Sequence, residues 1–117
     1  MAKPLNLLEL IPKRIAKWEE VEGLVVILKP KFSHPWMREH LLPRLKKPYY
    51  RVKLDEIGSS VWRLCDGQRT VEEIGKILSQ NFGEKIEPLY ERLSYFFQML
   101  ERNRFLNLTQ KDQSSGQ

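Results

Sequence analysis

The sequence predicts an α+β domain in which a three-stranded antiparallel sheet precedes three helices. Two observations support this order. Between Leu54 and Leu108 apolar residues recur at helical spacing, whereas upstream of Leu54 the period changes and short runs typical of strands appear. Gly and N-cap residues stand at the points where the pattern changes, so they separate the predicted elements.

The first two strands are short and are predicted to form a hairpin. They cover Lys13–Glu20 and Leu24–Lys29, and the second is rich in Val, Ile and Leu. Val21-Glu22-Gly23 lies between them and supplies the turn, because Gly accepts the backbone conformations that tight hairpin turns need. Phe105–Leu108 is expected to add a short strand at the end of the domain.

The third strand is predicted at Tyr49–Leu54 and leads directly into the first helix. Its residues alternate between two faces. One face carries Tyr50, Val52 and Leu54, and the other carries Tyr49, Arg51 and Lys53. A strand with an exposed charged edge is discouraged from pairing with other chains, so Arg51 and Lys53 are explained either by such protection or by ion pairs with an acidic ligand.

An insertion, Pro30–Pro48, separates the second and third strands and contains four prolines. Within it, His34–Leu42 is compatible with a short amphipathic helical turn. Trp36 is expected to dock against the chain, since a lone exposed Trp is unfavourable. Residues 11–108 are predicted to form a single domain, with a flexible N-terminus at 1–10 and a disordered tail at 109–117.

The first two helices have clear boundaries. The first begins at Asp55, an N-cap residue, and ends at Asp66-Gly67. Its apolar face repeats at helical spacing through Ile57, Val61 and Leu64. The second begins with Thr70-Val71-Glu72-Glu73, the pattern of a capping box, and Gly83 follows its end.

The third helix has more apolar surface than one core contact requires. Its main stripe is formed by Ile86, Leu89, Leu93, Phe96 and Leu100, and Pro88 is tolerated in its first turn. A second stripe runs beside it through Tyr90, Ser94 and Phe97. Two interpretations remain open for this stripe: a small domain buries it, or it forms one wall of a groove, for which the hydroxyl of Tyr90 is well suited.

Charge is unevenly distributed. The chain has a net charge of +5, yet residues 29–53 contain eight Lys or Arg residues and one acidic residue, Glu39. A basic segment of this kind is also typical of nucleic-acid-binding proteins, so nucleic-acid binding is the alternative prediction. The predicted second and third helices carry several Glu residues, however, and acidic helices repel a duplex. A solvated surface is the third explanation.

No arrangement of residues indicates an active site, so the sequence predicts a binding module and not an enzyme. His34, His40 and Cys65 match no zinc-binding spacing, and the six glycines are scattered without a phosphate-binding loop. No catalytic, metal or cofactor site is therefore predicted. No apolar stretch is long enough to span a bilayer and no convincing signal peptide is present, so we expect a cytoplasmic protein.

The second half of the chain resembles the PqqD family. The resemblance is carried by Leu54-Asp55, Val61-Trp62, Leu64, Asp66-Gly67, Thr70-Val71-Glu72-Glu73-Ile74 and Leu78, followed by an apolar helix that ends near Phe105-Leu106. It implies a winged-helix-like RiPP recognition element, that is, a peptide chaperone of coenzyme PQQ-type biosynthesis. Such proteins bind the leader of a ribosomally made precursor peptide and present it to a modifying enzyme, often a radical SAM protein.

The resemblance also implies a binding mode and a site. The peptide would add as a strand to the free edge of the third strand and pack against the third helix. The implied peptide-binding residues are Tyr49, Tyr50, Arg51, Val52, Lys53, Tyr90, Leu93, Ser94 and Phe97. The extended N-terminus and the insertion depart from the family pattern, so the resemblance does not assign the pathway to PQQ itself. The insertion is expected either to cover the groove or to bind something else.

Overall fold

A computed structural model describes residues 6–110 of the chain, and these residues form the predicted α+β arrangement, with a three-stranded antiparallel sheet and four α-helices. Three of these helices follow the third strand of that sheet, as predicted. The strands are β1 (Leu10–Arg14), β2 (Lys17–Val21), β3 (Leu24–Pro30), β4 (Tyr49–Lys53) and β5 (Leu106–Gln110). The helices are α1 (Pro35–His40), α2 (Glu56–Leu64), α3 (Val71–Phe82) and α4 (Leu89–Arg102), and short 3-10 turns lie at Leu7–Glu9, Leu42–Arg44 and Gly83–Ile86.

The three-stranded sheet has the order β2-β3-β4, with both pairs antiparallel. The predicted hairpin is confirmed: Val21 pairs with Leu24, and Glu22 and Gly23 both have positive φ angles, of 53° and 81°. This is the backbone of a two-residue turn whose twist matches that of the strands. Because β3 is central, β4 lies at one edge of the sheet.

The first strand was predicted as one element, and this was wrong. The structure divides Lys13–Glu20 between β1 and β2, with a break at Ile15 and Ala16. The N–H groups of both residues donate to the Phe105 carbonyl, at 2.9 and 3.0 Å, so this stretch of backbone is bound to the end of the chain and not to β3. As a result β1 pairs with β5 in a separate two-stranded antiparallel sheet.

The ends of the domain are placed as follows. Leu7–Glu9 and Leu10, within the segment expected to be flexible, form a 3-10 turn and the first residue of β1. The predicted terminal strand is present as β5 and reaches Gln110. Asn6 caps the 3-10 turn, and Thr109 and Gln110 belong to β5 and not to a disordered tail. The rest of both predicted tails, residues 1–5 and 111–117, lies outside the described residues.

The core lies between β3 and the helices α2, α3 and α4. Its largest fully buried side chains include Trp62, Phe97 and Ile27. The predicted starts of the first two helices are confirmed, because Asp55 accepts from the Gly58 N–H at 2.7 Å and Thr70 forms a reciprocal capping box with Glu73. The third helix begins later than predicted, at Leu89, so Pro88 precedes its first turn and Ile86 lies in the 3-10 turn before it. None of the helices within residues 6–110 has the length and apolar character needed to cross a membrane.

Candidate functional site

The hydrogen bonds at the two ends of the β3–β4 ladder fix its phase. The Leu54 N–H donates to the Val25 carbonyl at 2.9 Å, and the Lys31 N–H donates to the Pro48 carbonyl at 3.0 Å. Both pairs fit the β3–β4 register. Hydrogen-bonded and non-hydrogen-bonded pairs alternate along an antiparallel ladder, so every second residue of β4 directs its backbone polar groups at β3.

The residues of β4 that bond to β3 are therefore Tyr50 and Val52. The other three, Tyr49, Arg51 and Lys53, direct their N–H and C=O groups toward the outer edge. Pro30 is consistent with this phase, because it lies opposite Tyr49 at a position where its missing N–H costs no bond to β4. Within residues 6–110 no strand pairs with the outer edge, which leaves a template for one more strand.

The side chains of β4 divide between the two faces as predicted. Val52 packs against the helix-covered core, and Tyr50 lies on the same face but is 56% exposed. On the opposite face the Arg51 guanidinium pairs with Glu19 of β2 at 2.7 Å. Arg51 is thus already partnered within the sheet, whereas Lys53 forms no ion pair within the described residues.

Two contacts show which side of α4 lies toward residues that neighbour β4. A Cβ placed on Gly58, in the first turn after β4, would lie 3.5 Å from the Phe96 ring. Near the other end of β4, Lys29 Nζ donates to Asn103 Oδ1 at 3.2 Å, and Lys29 is the strand partner of Tyr50. A helix turns by about 100° per residue, so Met99 lies on the same side of α4 as these two contacts.

The predicted helix residues lie elsewhere. Leu93 and Phe97 are only 3% and 0% exposed, so they anchor α4 in the core instead of lining an open groove. Tyr90 faces α3, since a Cβ on Gly75 would lie 3.4 Å from its ring. Ser94 is partly buried, and its Oγ accepts from Gln98 at 3.2 Å.

Phe96 and Met99 are candidate site residues on this side of α4 that the predicted set did not include. Both are partly buried and pack at the margin of the core. No local sequence signal marks Phe96, because the large Phe96 ring and the minimal Gly58 belong to two different helices. Only the fold shows that they are neighbours.

The insertion folds back onto the start of β4. Leu42 is buried, and Pro35, Arg38, Glu39 and Leu42 line a shallow cleft of about 400 Å³ together with Tyr49. Since Tyr50 remains largely exposed, the insertion does not cover the α4 side of β4. The cleft therefore lies beside one end of the free edge.

Trp36 in α1 does not dock as expected. It is 55% exposed, and its ring contacts that of His40 on the same short helix, with a centroid distance of 4.9 Å. His34 caps α1 by accepting from the Trp36 N–H through Nδ1 at 3.1 Å. Both histidines are thus engaged locally in the insertion.

The thiol of Cys65 is enclosed by the core. Cys65 is fully buried, its Sγ donates to the Val61 carbonyl, and burial raises the pKa of its thiol to about 12. A thiol with so high a pKa is a poor nucleophile at neutral pH. Residues 6–110 contain no group of three His, Cys, Asp or Glu side chains that could hold a metal ion.

Comparison with known proteins gives one match. The family model described as "Coenzyme PQQ synthesis protein D (PqqD)" matches residues 39–106, more than half of the chain. The matched range begins within α1, includes β4 and the helices α2 to α4, and ends at the first residue of β5. No curated protein and no solved structure matches the chain.

Proposed function

Because this chain belongs to the PqqD family, we propose that it is a non-catalytic peptide-binding adaptor with a winged-helix-like domain. It binds a ribosomally made precursor peptide, through its leader, and presents it to a modifying enzyme such as a radical SAM protein. The chain itself supplies binding and positioning, and the modifying enzyme supplies the reaction.

The observation that carries the proposal is the outer edge of β4. Three residues, Tyr49, Arg51 and Lys53, direct backbone groups outward over a strand of five residues. An added strand forms hydrogen bonds with these groups, each of which contributes about 0.5–1.5 kcal/mol net. Such backbone bonds supply affinity that is independent of peptide sequence, and side-chain pockets add specificity.

The α4 side of this edge supplies those pockets. Alternate side chains of the added strand point toward Tyr50 and Val52, and beyond them toward the half-buried Phe96 and Met99. This arrangement replaces the predicted helix wall of Tyr90, Leu93, Ser94 and Phe97. Aromatic and thioether side chains adapt to varied apolar partners, so we expect apolar residues at alternate positions of the peptide.

The second candidate is a nucleic-acid-binding domain that uses the basic segment at residues 29–53. It is favoured by the excess of positive charge in that segment. It is disfavoured by exposed acidic residues on the helices that a winged-helix protein would insert into a groove. These residues include Glu72 on α3, and Glu91 and Glu101 on α4.

Peptide display followed by amide exchange tests the adaptor proposal. A displayed library of random peptides is selected on the full chain, with counter-selection on Arg51→Pro, which lacks the outward N–H at the middle of the edge. In the free protein we expect the amides of Tyr50 and Val52 to exchange slowly and that of Arg51 to exchange fast. A selected peptide should slow exchange at Tyr49, Arg51 and Lys53.

Arg51→Ala is the matched control, because it loses the guanidinium but keeps the N–H. It should bind selected peptides nearly as well as the original chain. The strand-addition proposal fails if the peptides bind Arg51→Pro and Arg51→Ala equally, or if bound peptide leaves exchange at the β4 edge unchanged.

A further inference from the structure

We propose that the insertion extends the peptide site, and that it binds a carboxylate-rich segment next to the strand that adds to β4. This inference rests on the proposed function and specifies the chemistry of the client: an extended apolar strand flanked by acidic residues. The surface concerned, called the basic surface below, consists of Lys31, Arg38, Arg44, Lys46, Lys47 and Lys53.

The basic surface carries charge that has no ion-pair partner within residues 6–110. All six side chains are exposed, and none forms an ion pair within residues 6–110. The two other basic residues of this segment are engaged, since Arg51 pairs with Glu19 and Lys29 donates to Asn103. Unpaired charges of one sign raise the local concentration of ligands of the opposite sign.

The positions of three of these charges match the path of an added strand. Lys53 stands at one end of β4, and the insertion lies at the other end. There Lys31 Nζ lies 5.4 Å from the centre of the Tyr50 ring, and Arg38 lines the cleft beside Tyr49. Five residues of extended chain span about 17 Å, so a peptide that pairs with the whole of β4 passes Lys53 and reaches Arg38.

The insertion also offers apolar contact at the same end. Trp36 and Met37 of α1 are 55% and 39% exposed. The burial of Leu42 fixes the insertion against the domain, so α1 holds this apolar surface in place before any ligand binds. A flanking segment with acidic and apolar residues therefore finds a partner for each.

A peptide fits this surface better than a nucleic acid does, because cations lie at both ends of one free strand edge. Lys53 lies at one end of β4, and Arg38 lines the shallow cleft beside Tyr49 at the other end. An extended chain can use the cations and the edge together, whereas a duplex cannot form the strand hydrogen bonds.

A displayed library with two kinds of flank tests the inference. Each peptide has a random centre, flanked on both sides either by Glu or by Gln, so that the result does not depend on strand direction. At an ionic strength of about 0.01 M, we expect the full chain to recover Glu-flanked peptides about tenfold more often than Gln-flanked ones. The preference should fall at about 1 M, where the screening length is only about 3 Å.

Two charge-reversed variants locate the preference. The test variant carries Arg38→Glu, Lys46→Glu and Lys47→Glu, and its Glu-flanked recovery should fall to that of Gln-flanked peptides or below. The control variant carries Lys76→Glu, Lys85→Glu and Arg102→Glu at exposed sites on other elements, and it should keep most of the preference. The two variants have the same net charge, so a difference between them reports position alone.

The outcomes separate this inference from the function on which it rests. If peptides are enriched on the full chain over Arg51→Pro but with equal recovery of both flanks, the inference fails and strand addition stands. If no peptide is enriched over Arg51→Pro, both fail. Labelled duplex DNA and single-stranded RNA are measured in parallel. If either binds more tightly than the Glu-flanked peptides, and loses that binding only in the test variant, the surface is a nucleic-acid site and the inference is overturned.

Discussion

Proline substitutions at Arg51 and Val52 should have different effects, although the two residues are neighbours in β4. The ladder phase assigns the Val52 N–H to the carbonyl of Ile27, and it assigns the Arg51 N–H to the open edge. Proline removes the N–H in either case. Val52→Pro should therefore act on the fold, and Arg51→Pro should act on the binding of an added strand.

The expected magnitudes follow from these positions. Ile27 is fully buried, so Val52→Pro leaves a buried carbonyl without its donor and should lower the free energy of unfolding by about 1–3 kcal/mol. Arg51→Pro breaks no bond to β3. It loses the exposed ion pair with Glu19, so the free energy of unfolding should fall by at most about 1 kcal/mol. A bound peptide, however, loses one backbone donor, and binding should weaken by about 1–2 kcal/mol, or roughly 5- to 30-fold.

Urea denaturation measures the first effect, and calorimetric titration with a peptide selected on the full chain measures the second. Arg51→Ala is included in both, since it isolates the loss of the guanidinium. The assigned ladder phase is refuted if Arg51→Pro destabilises the protein as much as Val52→Pro. The strand-addition model is refuted if Arg51→Pro binds the peptide as tightly as Arg51→Ala.

Three further predictions concern the core, the thiol and the groove. Ser59→Ala should lower the free energy of unfolding by about 1–3 kcal/mol in urea denaturation, because Ser59 Oγ accepts from a buried backbone N–H at 2.8 Å. Ser60→Ala, the control, should lower it by less than about 1 kcal/mol, and equal losses would contradict this role of Ser59. Cys65 should react with a chromogenic disulfide reagent only when the protein unfolds, and rapid labelling of the native protein would contradict its burial. The free energy of unfolding should fall as pH rises from about 9 to about 12, because over that range the unfolded chain loses the thiol proton that the folded chain keeps. Phe96→Ala should weaken peptide binding in calorimetric titration more than Tyr90→Ala does. If Tyr90→Ala has the larger effect, the peptide contacts the face of α4 that is next to α3, and the proposed groove is wrong.

The sequence determined the local features of this protein. The capping box at Thr70, the N-cap at Asp55 and the turn at Gly23 each depend on residues within a few positions of one another, and all three are present in the structure. The alternation along Tyr49–Lys53 correctly separated the two faces of β4, because a strand repeats every two residues. The family could also be recognised, since its pattern consists of such local signals.

The tertiary structure decided what depends on distant residues. The pairing of β1 with β5 joins the two ends of the domain, and no local pattern distinguishes it from a longer first strand. Helical spacing alone did not tell which side of α4 faces β4. Phe96 and Phe97 are both apolar and adjacent, and only the folded chain shows that Phe96 lies against Gly58 of α2 while Phe97 enters the core. Periodicity fixes the faces of an element, whereas the neighbour that each face meets is fixed by packing across the whole chain.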